Sequence, residues 1–433
     1  MNFEKLPVAV IGAGPVGLAA LAHLVKRGEE AVLFEAAPRV AGNIETWAHV
    51  RIFSPWQYCI DSASREILER SGWAEPDCDH LPTGAELISQ YLKPLAESAQ
   101  LNPFIHYNSK VTAISRLRTD KMRDANRADQ PFMLRIKSPD GEITQYAKAV
   151  IDASGTWGTL APLGADGLPA MGEIEHREKI YYGIPDVLRN ARSRYENKRV
   201  AVVGGGHSAI NAILELAELA EESEQTEIVW VLRTANVSDS FGGGEDDLLP
   251  ARGQLGQRIK KLVDQKRIRV VAPFFVEKID ASENQLCLLG ESADGEQGLL
   301  VDEIIAATGT RPDLSITSEL RLSLDPSVES PVALAPLIDP NIHSCGTVPP
   351  HGEADLRHPE PNFYVVGMKS YGRAPTFLML TGYEQVRSVV AAIAGDHEAA
   401  RNVELELPAT GVCGGQGDSK LLQIGQKVKS ACC

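Results

Sequence analysis

The opening stretch of the chain restricts its fold more than any other. The apolar run Leu6-Pro7-Val8-Ala9-Val10-Ile11 passes directly into Gly12-Ala13-Gly14-Pro15-Val16-Gly17, and a helical apolar pattern follows as far as Gly28. A strand, a glycine turn and a helix in that order form the context in which GxGxxG marks a dinucleotide site. The first glycine permits the tight turn, the second lets a pyrophosphate approach the backbone, and the third lets helix and strand pack closely. Phosphates then rest on the helix N-terminus, whose free N–H groups and dipole favour anions. AVLFEA returns as the next strand, and Glu35 at its end is placed to accept hydrogen bonds from an adenosine ribose. Strand, helix and acid agree, so a glycine turn without a ligand is the weaker reading.

A second fingerprint lies mid-chain. RVAVV leads into Gly204-Gly205-Gly206-His207-Ser208-Ala209, with alanine in the third glycine position, and EIVWVLR supplies the following strand. Arg233 stands at the end of that strand, where a site for NAD carries an acid. A guanidinium there suits the 2′-phosphate of NADPH through charge-assisted hydrogen bonds, against the plainer reading of a solvated surface arginine. His207 is placed near the cofactor and given no catalytic role.

The rest of the chain is organised around these units. At 433 residues it is too long for a single core. VTAISRLR, PFMLRIKSPDG and ITQYAKAVIDASG read as three successive strands, the first turn being a charged, flexible segment around Asp120–Gln130. The stretch from Thr156 to Lys198, rich in glycine, proline and charge, reads as the crossing between domains. IIAATGTRPD is expected to leave the second unit as a strand, FYVVGMKS to be another buried strand, and TGYEQVRSVVAAIAG to be a helix returning to the first unit. The resulting division is 1–165 and 326–403 for the first domain, 185–325 for the inserted one, and 404–433 for a mobile, cysteine-containing tail. The expected fold class is α/β, with two Rossmann-like domains, the NADPH domain set inside the first.

A net charge of −15 excludes nucleic acid and anionic membranes as partners, because both would be repelled over the whole surface. No stretch reaches the roughly 18 apolar residues of a membrane span, and the chain is expected to be cytoplasmic. The seven cysteines form no CxxC pair and do not resemble a secreted disulfide framework. Small molecules remain as partners.

Two dinucleotide units, with Asp152-Ala153-Ser154-Gly155 and Ala307-Thr308-Gly309 after the strand at each crossing, resemble the two-dinucleotide-binding-domain flavoproteins over residues 6–400. The resemblance implies FAD in the N-terminal site, held by Gly12, Gly14, Gly17, Glu35, Gly42, Val111, Ser154, Gly155 and Gly367, with Ala13, Pro15, Val16, Ala36, Asn43 and Trp47 in the same segments. It implies NADPH in the inserted site, held by Gly204, Gly206, His207, Ser208, Ala209, Arg233, Thr308 and Gly309.

Within that group the disulfide reductases carry a redox cysteine pair beside the flavin and a Gly-Asp after the last strand. Here there is no such pair, and Gly367 is followed by Met368. Both departures favour the flavin monooxygenase branch, whose acid, glycine and tryptophan pattern is similar to the segment from Glu35 through Gly42-Asn43 to Trp47. That branch's linker and threonine-asparagine signatures are not matched, and only His176 is reminiscent of the former.

The branch implies NADPH-driven oxygenation of a small soft nucleophile by molecular oxygen, through a C4a-hydroperoxyflavin. Trp56, Tyr371, Arg373 and Phe377 are candidates to line the site, and no acid or base is named. Likeness to flavoproteins found with arsenic-resistance genes implies a trivalent arsenical, with Cys345, Cys413, Cys432 and Cys433 as soft metalloid ligands. Two alternatives stay open. One is an NADPH-dependent reductase passing electrons through the terminal thiols to a thiol or metalloid substrate, and the other is a flavin-loaded redox sensor without turnover.

Overall fold

In the computed structural model, which describes residues 5–242, 250–342, 348–375 and 377–405, both glycine fingerprints stand where a buried strand hands over to a helix. The strands, in chain order, begin with β1 (Val8–Ile11), β2 (Ala31–Phe34), β3 (Ile105–His106), β4 (Lys110–Arg116), β5 (Phe132–Ser138), β6 (Gly141–Ala147) and β7 (Ala149–Asp152). There follow β8 (Ile180–Tyr182), β9 (Arg199–Val203), β10 (Glu227–Val231), β11 (Arg269–Val271), β12 (Phe274–Ser282), β13 (Gln285–Ser292), β14 (Gly295–Val301), β15 (Glu303–Ala306) and β16 (Phe363–Val365). The principal helices are α1 (Pro15–Lys26), α2 (Ser62–Glu69), α3 (His207–Glu222), α4 (Pro250–Asp264) and α5 (Met379–Ile393).

Two parallel sheets carry the molecule. The first has the order β16-β7-β1-β2-β3 and the second β11-β10-β9-β15-β8, so everything from β8 to β15 is inserted between two neighbouring strands of the first sheet. The chain is therefore α/β, with one dinucleotide-binding domain set inside another. All four residues of β1 and of β7 are buried, as expected of parallel strands covered on both faces. Leu18, Leu21 and Leu24 of α1 pack into one core with Val386, Val389 and Val390 of α5. Full burial of each such side chain contributes roughly 1.5–3 kcal/mol. In the inserted domain Ile210, Ile213 and Leu216 of α3 share a core with Trp230, whose indole N–H donates to the Gly204 carbonyl at 2.8 Å.

Two expectations change in the folded chain, and one feature is new. The run ITQYAKAVID is not one strand: it divides at Lys148 into β6, antiparallel to β5, and β7, parallel to β1. Both halves are strand-forming, and nothing local marks the change of sheet. The segment Asp120–Gln130 is not merely a charged flexible turn, because buried Arg127 ties it to Glu360 at 2.7 Å. A third sheet, β12-β13-β14, is antiparallel and lies ahead of β15 as β4-β5-β6 lies ahead of β7, so the two domains repeat one plan.

The crossing between domains is organised by a buried carboxylate. Glu173 accepts from the backbone N–H of Leu163 (3.0 Å) and of Ala170 (2.7 Å) and from the Tyr182 hydroxyl (2.5 Å). No helix among the described residues is long and apolar enough to cross a membrane.

Candidate functional site

A cavity of about 660 Å³ opens along the C-terminal edge of the first sheet, where the ends of β1, β2, β7 and β16 converge. Ligands of open α/β sheets bind in that crevice. Gly12, Gly14, Pro15 and Val16 form its rim at the start of α1, and Glu35 and Ala36 follow at the end of β2. Gly42, Asn43 and Trp47 close one side, Val111 another, and Ser154, Gly155 and Gly367 the floor. Two sequence-derived candidates do not line it. Ala13 is fully buried and Gly17 packs inward, where an added Cβ would sit 1.9 Å from the Gly12 carbonyl oxygen.

The fingerprint leaves room of the kind a pyrophosphate needs. A Cβ on Gly14 would meet no atom within 4 Å, so that backbone faces free space beside the N-terminus of α1. Glu35 is fixed by two backbone donors, Ala13 N–H at 2.6 Å and Ala37 N–H at 2.8 Å, which leave further lone pairs of its carboxylate for a ribose. A long cavity running from a helix N-terminus past an acid to an aromatic end fits FAD.

Several lining residues were not anticipated. Phe53, Trp157, Asp313 and Ile316 line the cavity, as does Lys369, which is 2% exposed and pairs with Asp152 at 2.7 Å and Ser154 Oγ at 3.0 Å. Nothing in GMKS, read as sequence, distinguishes a lysine that turns inward from one that faces solvent. Of the four residues proposed to line the site, only Phe377 does so. Trp56 is fully buried in the core, Tyr371 is buried against Phe377 and His351, and Arg373 pairs at 2.9 Å with Glu329 near the surface. Apolar packing claimed the two aromatic residues, and a local ion pair claimed the arginine.

The second fingerprint has the same construction. Gly204 adopts a φ of 133° with the Ala307 carbonyl oxygen 2.3 Å from where a Cβ would stand, and Gly206 faces open space. His207 and Ser208 begin α3, while Ala209 is buried in the core as the packing member of the motif. Arg233 is exposed, with its guanidinium 3.3 Å from the Ala165 carbonyl. Arg311 lies near it; burial, with the neighbouring Arg373 and Arg233 guanidinium groups, pulls it below its ordinary value. Such a concentration of positive charge fits a 2′-phosphate. Thr308 donates to the Ala161 carbonyl at 2.6 Å, and Ala161 N–H donates to Gly309 at 2.9 Å, so both residues also fasten the crossing segment.

The two sites abut. Phe53 from the wall of the first cavity lies against His207 of the second fingerprint with ring centroids 5.2 Å apart, and Thr156 and Thr310 share a 2.8 Å hydrogen bond. The cysteines proposed as metalloid ligands, Cys345, Cys413, Cys432 and Cys433, lie outside the described residues. Of those described, Cys59 is buried, which pushes its thiol up to about 12, Cys78 is exposed, and Cys287 is on β13; none lines the cavity.

Known proteins place this architecture. A ferredoxin–NADP reductase of Lactobacillus gasseri is 23% identical over 318 residues, which is 72% of this chain and 76% of the relative. Bacillithiol disulfide reductase from Bacillus cereus superposes with a TM-score of 0.67 at 17% identity, covering 90% of this chain and 99% of that one. The desferrioxamine-pathway cadaverine monooxygenase of Erwinia amylovora, bound to FAD, superposes at 0.63 with 13% identity, covering 95% and 99%. These two likenesses concern the fold. The profile described as pyridine nucleotide-disulphide oxidoreductase matches residues 6–348, most of the chain. The chain belongs to the pyridine nucleotide-disulphide oxidoreductase family.

Proposed function

We propose that this FAD- and NADPH-dependent oxidoreductase is a monooxygenase acting on a small soft nucleophile. Among the described residues no cysteine lines the first cavity, so no described dithiol stands there to receive electrons from the flavin. The cavity walls favour oxygen chemistry over exchange with solvent, since Trp47, Phe53, Trp157, Ile316, Phe377 and Met379 present mostly apolar surface. FAD supplies the hydride acceptor and the oxygen chemistry when bound. The chain's own residues bind and orient: the N-termini of α1 and α3 face the two pyrophosphates, Glu35 the ribose, and Arg233 with Arg311 the 2′-phosphate. The Phe53–His207 contact sets the two sites against each other, and the Lys369–Asp152 pair fixes the cavity floor.

A second reading is favoured by the sequence relatives, which are ferredoxin–NADP reductases. A cavity lined by no described cysteine also admits a reductase that passes electrons to an external acceptor, and it is the apolar walls that favour the monooxygenase. None of the relatives named above is described as acting on an arsenical, so trivalent arsenic stands as one candidate beside amines and thioethers, with ketones, which react as electrophiles, as the contrasting class. Parallel measurement of NADPH oxidation, oxygen uptake and peroxide across those four classes tests the proposal. One oxygen consumed per NADPH with little peroxide, for one class only, is the expected result. Undiminished turnover of an external acceptor under anaerobic conditions, with no substrate-dependent oxygen uptake, would select the reductase.

A further inference from the structure

Outside the lining of the first cavity, three ligand-bearing side chains from three separate elements meet where the domains join. His49 follows the Gly42–Glu45 turn of the first domain, Asp186 lies just after β8, and Glu215 is on α3 of the inserted domain. One ligand atom of each lies within 4.8 Å of the others. Bond lengths near 2.1 Å set ligand atoms ~3.4 Å apart around a tetrahedral ion, so side-chain adjustments of about an ångström close the set.

The histidine is set up as a ligand. Its Nε2 is buried and has no hydrogen-bond partner among the described residues. A buried imidazole nitrogen left without a partner beside two carboxylates is available to a metal ion. The carboxylates are held as well: Val187 N–H donates to Glu215 at 3.0 Å, and Asn190 N–H to Asp186 at 3.4 Å. Around Glu215 the carboxylates Asp186 and Glu218 outnumber Arg189, which favours a cation.

We propose that His49, Asp186 and Glu215 bind one divalent transition-metal ion that ties the inserted domain to the first. One imidazole nitrogen with two carboxylates suits Zn²⁺, Co²⁺ or Mn²⁺ and disfavours Mg²⁺ and Ca²⁺, which prefer all-oxygen shells. The ion takes no part in electron transfer. It braces the domain boundary and so holds the second fingerprint against the first cavity. The site is independent of which substrate is oxidised.

The test is a Co²⁺ titration of the FAD-loaded chain in which Cys78, Cys345, Cys413, Cys432 and Cys433 are serine, so that neither these thiolates nor the exposed Asp77–Cys78–Asp79 group competes. The expected result is one equivalent bound, with absorption to the red of the flavin bands and a raised melting temperature. His49→Ala should weaken binding at least tenfold and abolish the melting shift. Glu215→Gln, which keeps the side-chain volume, should do the same with FAD content unchanged, and it decides the matter if His49→Ala fails to fold. Absence of a Co²⁺ equivalent in the parent chain, or unchanged affinity in Glu215→Gln, would overturn the site.

Discussion

An added Cβ at Gly17 would stand 1.9 Å from the Gly12 carbonyl oxygen, whereas at Gly14 it would meet no atom within 4 Å. The two positions therefore separate folding from binding. Gly17→Ala forces backbone apart at the strand–helix junction and should give little soluble protein. Gly14→Val should fold with normal circular dichroism yet purify without yellow colour, because its side chain takes the space of the pyrophosphate. A yellow, fully loaded Gly14→Val chain would remove the first site from its assigned place. At the second site, the exposure of Arg233 lowers what its loss should cost. Solvent screening leaves ~1 kcal/mol, or a roughly fivefold rise in the NADPH KM, for Arg233→Ala. NADH kinetics should be unchanged, and equal effects on the two cofactors would exclude Arg233 from contact with the 2′-phosphate.

The β4–β5 connection shows how one buried charge organises a whole element. Glu360, 1% exposed, binds Arg116 and Arg127, each at 2.7 Å, and accepts from Arg321 N–H at 3.1 Å. Burial alone would raise its carboxyl, but the hydrogen bonds from Arg127 and Arg116 hold it below its ordinary value. A carboxylate depressed in the folded state stabilises above its unfolded pKa, and that stability disappears as pH falls through the folded one. Urea midpoints should therefore fall below about pH 4.3 in the wild type. Glu360→Gln leaves two buried guanidinium groups uncompensated and should cost about 3–5 kcal/mol near neutral pH, with a shallower acid dependence. A wild-type acid profile in Glu360→Gln would show that the network does not carry this dependence.

For the whole molecule, FAD binds the folded first domain and not the unfolded chain, so loading should act by mass action. At a free FAD concentration 100 times Kd the first domain gains about 2.7 kcal/mol. Calorimetry of FAD-stripped protein should show a transition that moves upward with added FAD. Fluorescence of a chain in which Trp47, Trp56, Trp73 and Trp157 are phenylalanine, so that Trp230 of the inserted domain is the reporter, should move less. Identical shifts of both signals would mean that the domains unfold as one unit.

The glycine spacings and the apolar runs before each fingerprint identified by themselves an α/β chain with two Rossmann-like dinucleotide-binding domains, because backbone approach to phosphate permits few residues at fixed offsets. Those constraints are local. Whether Lys369 or Arg373 turned inward, whether Trp56 met ligand or core, and where ITQYAKAVID changed sheets depended on partners remote in sequence: Asp152, Glu329, the α1–α5 core and β1. Burial and pairing across such separations have no signature in the run itself, so only the tertiary structure decided them. It alone brought His49 beside Asp186 and Glu215, since their meeting depends on how the inserted domain settles on the first.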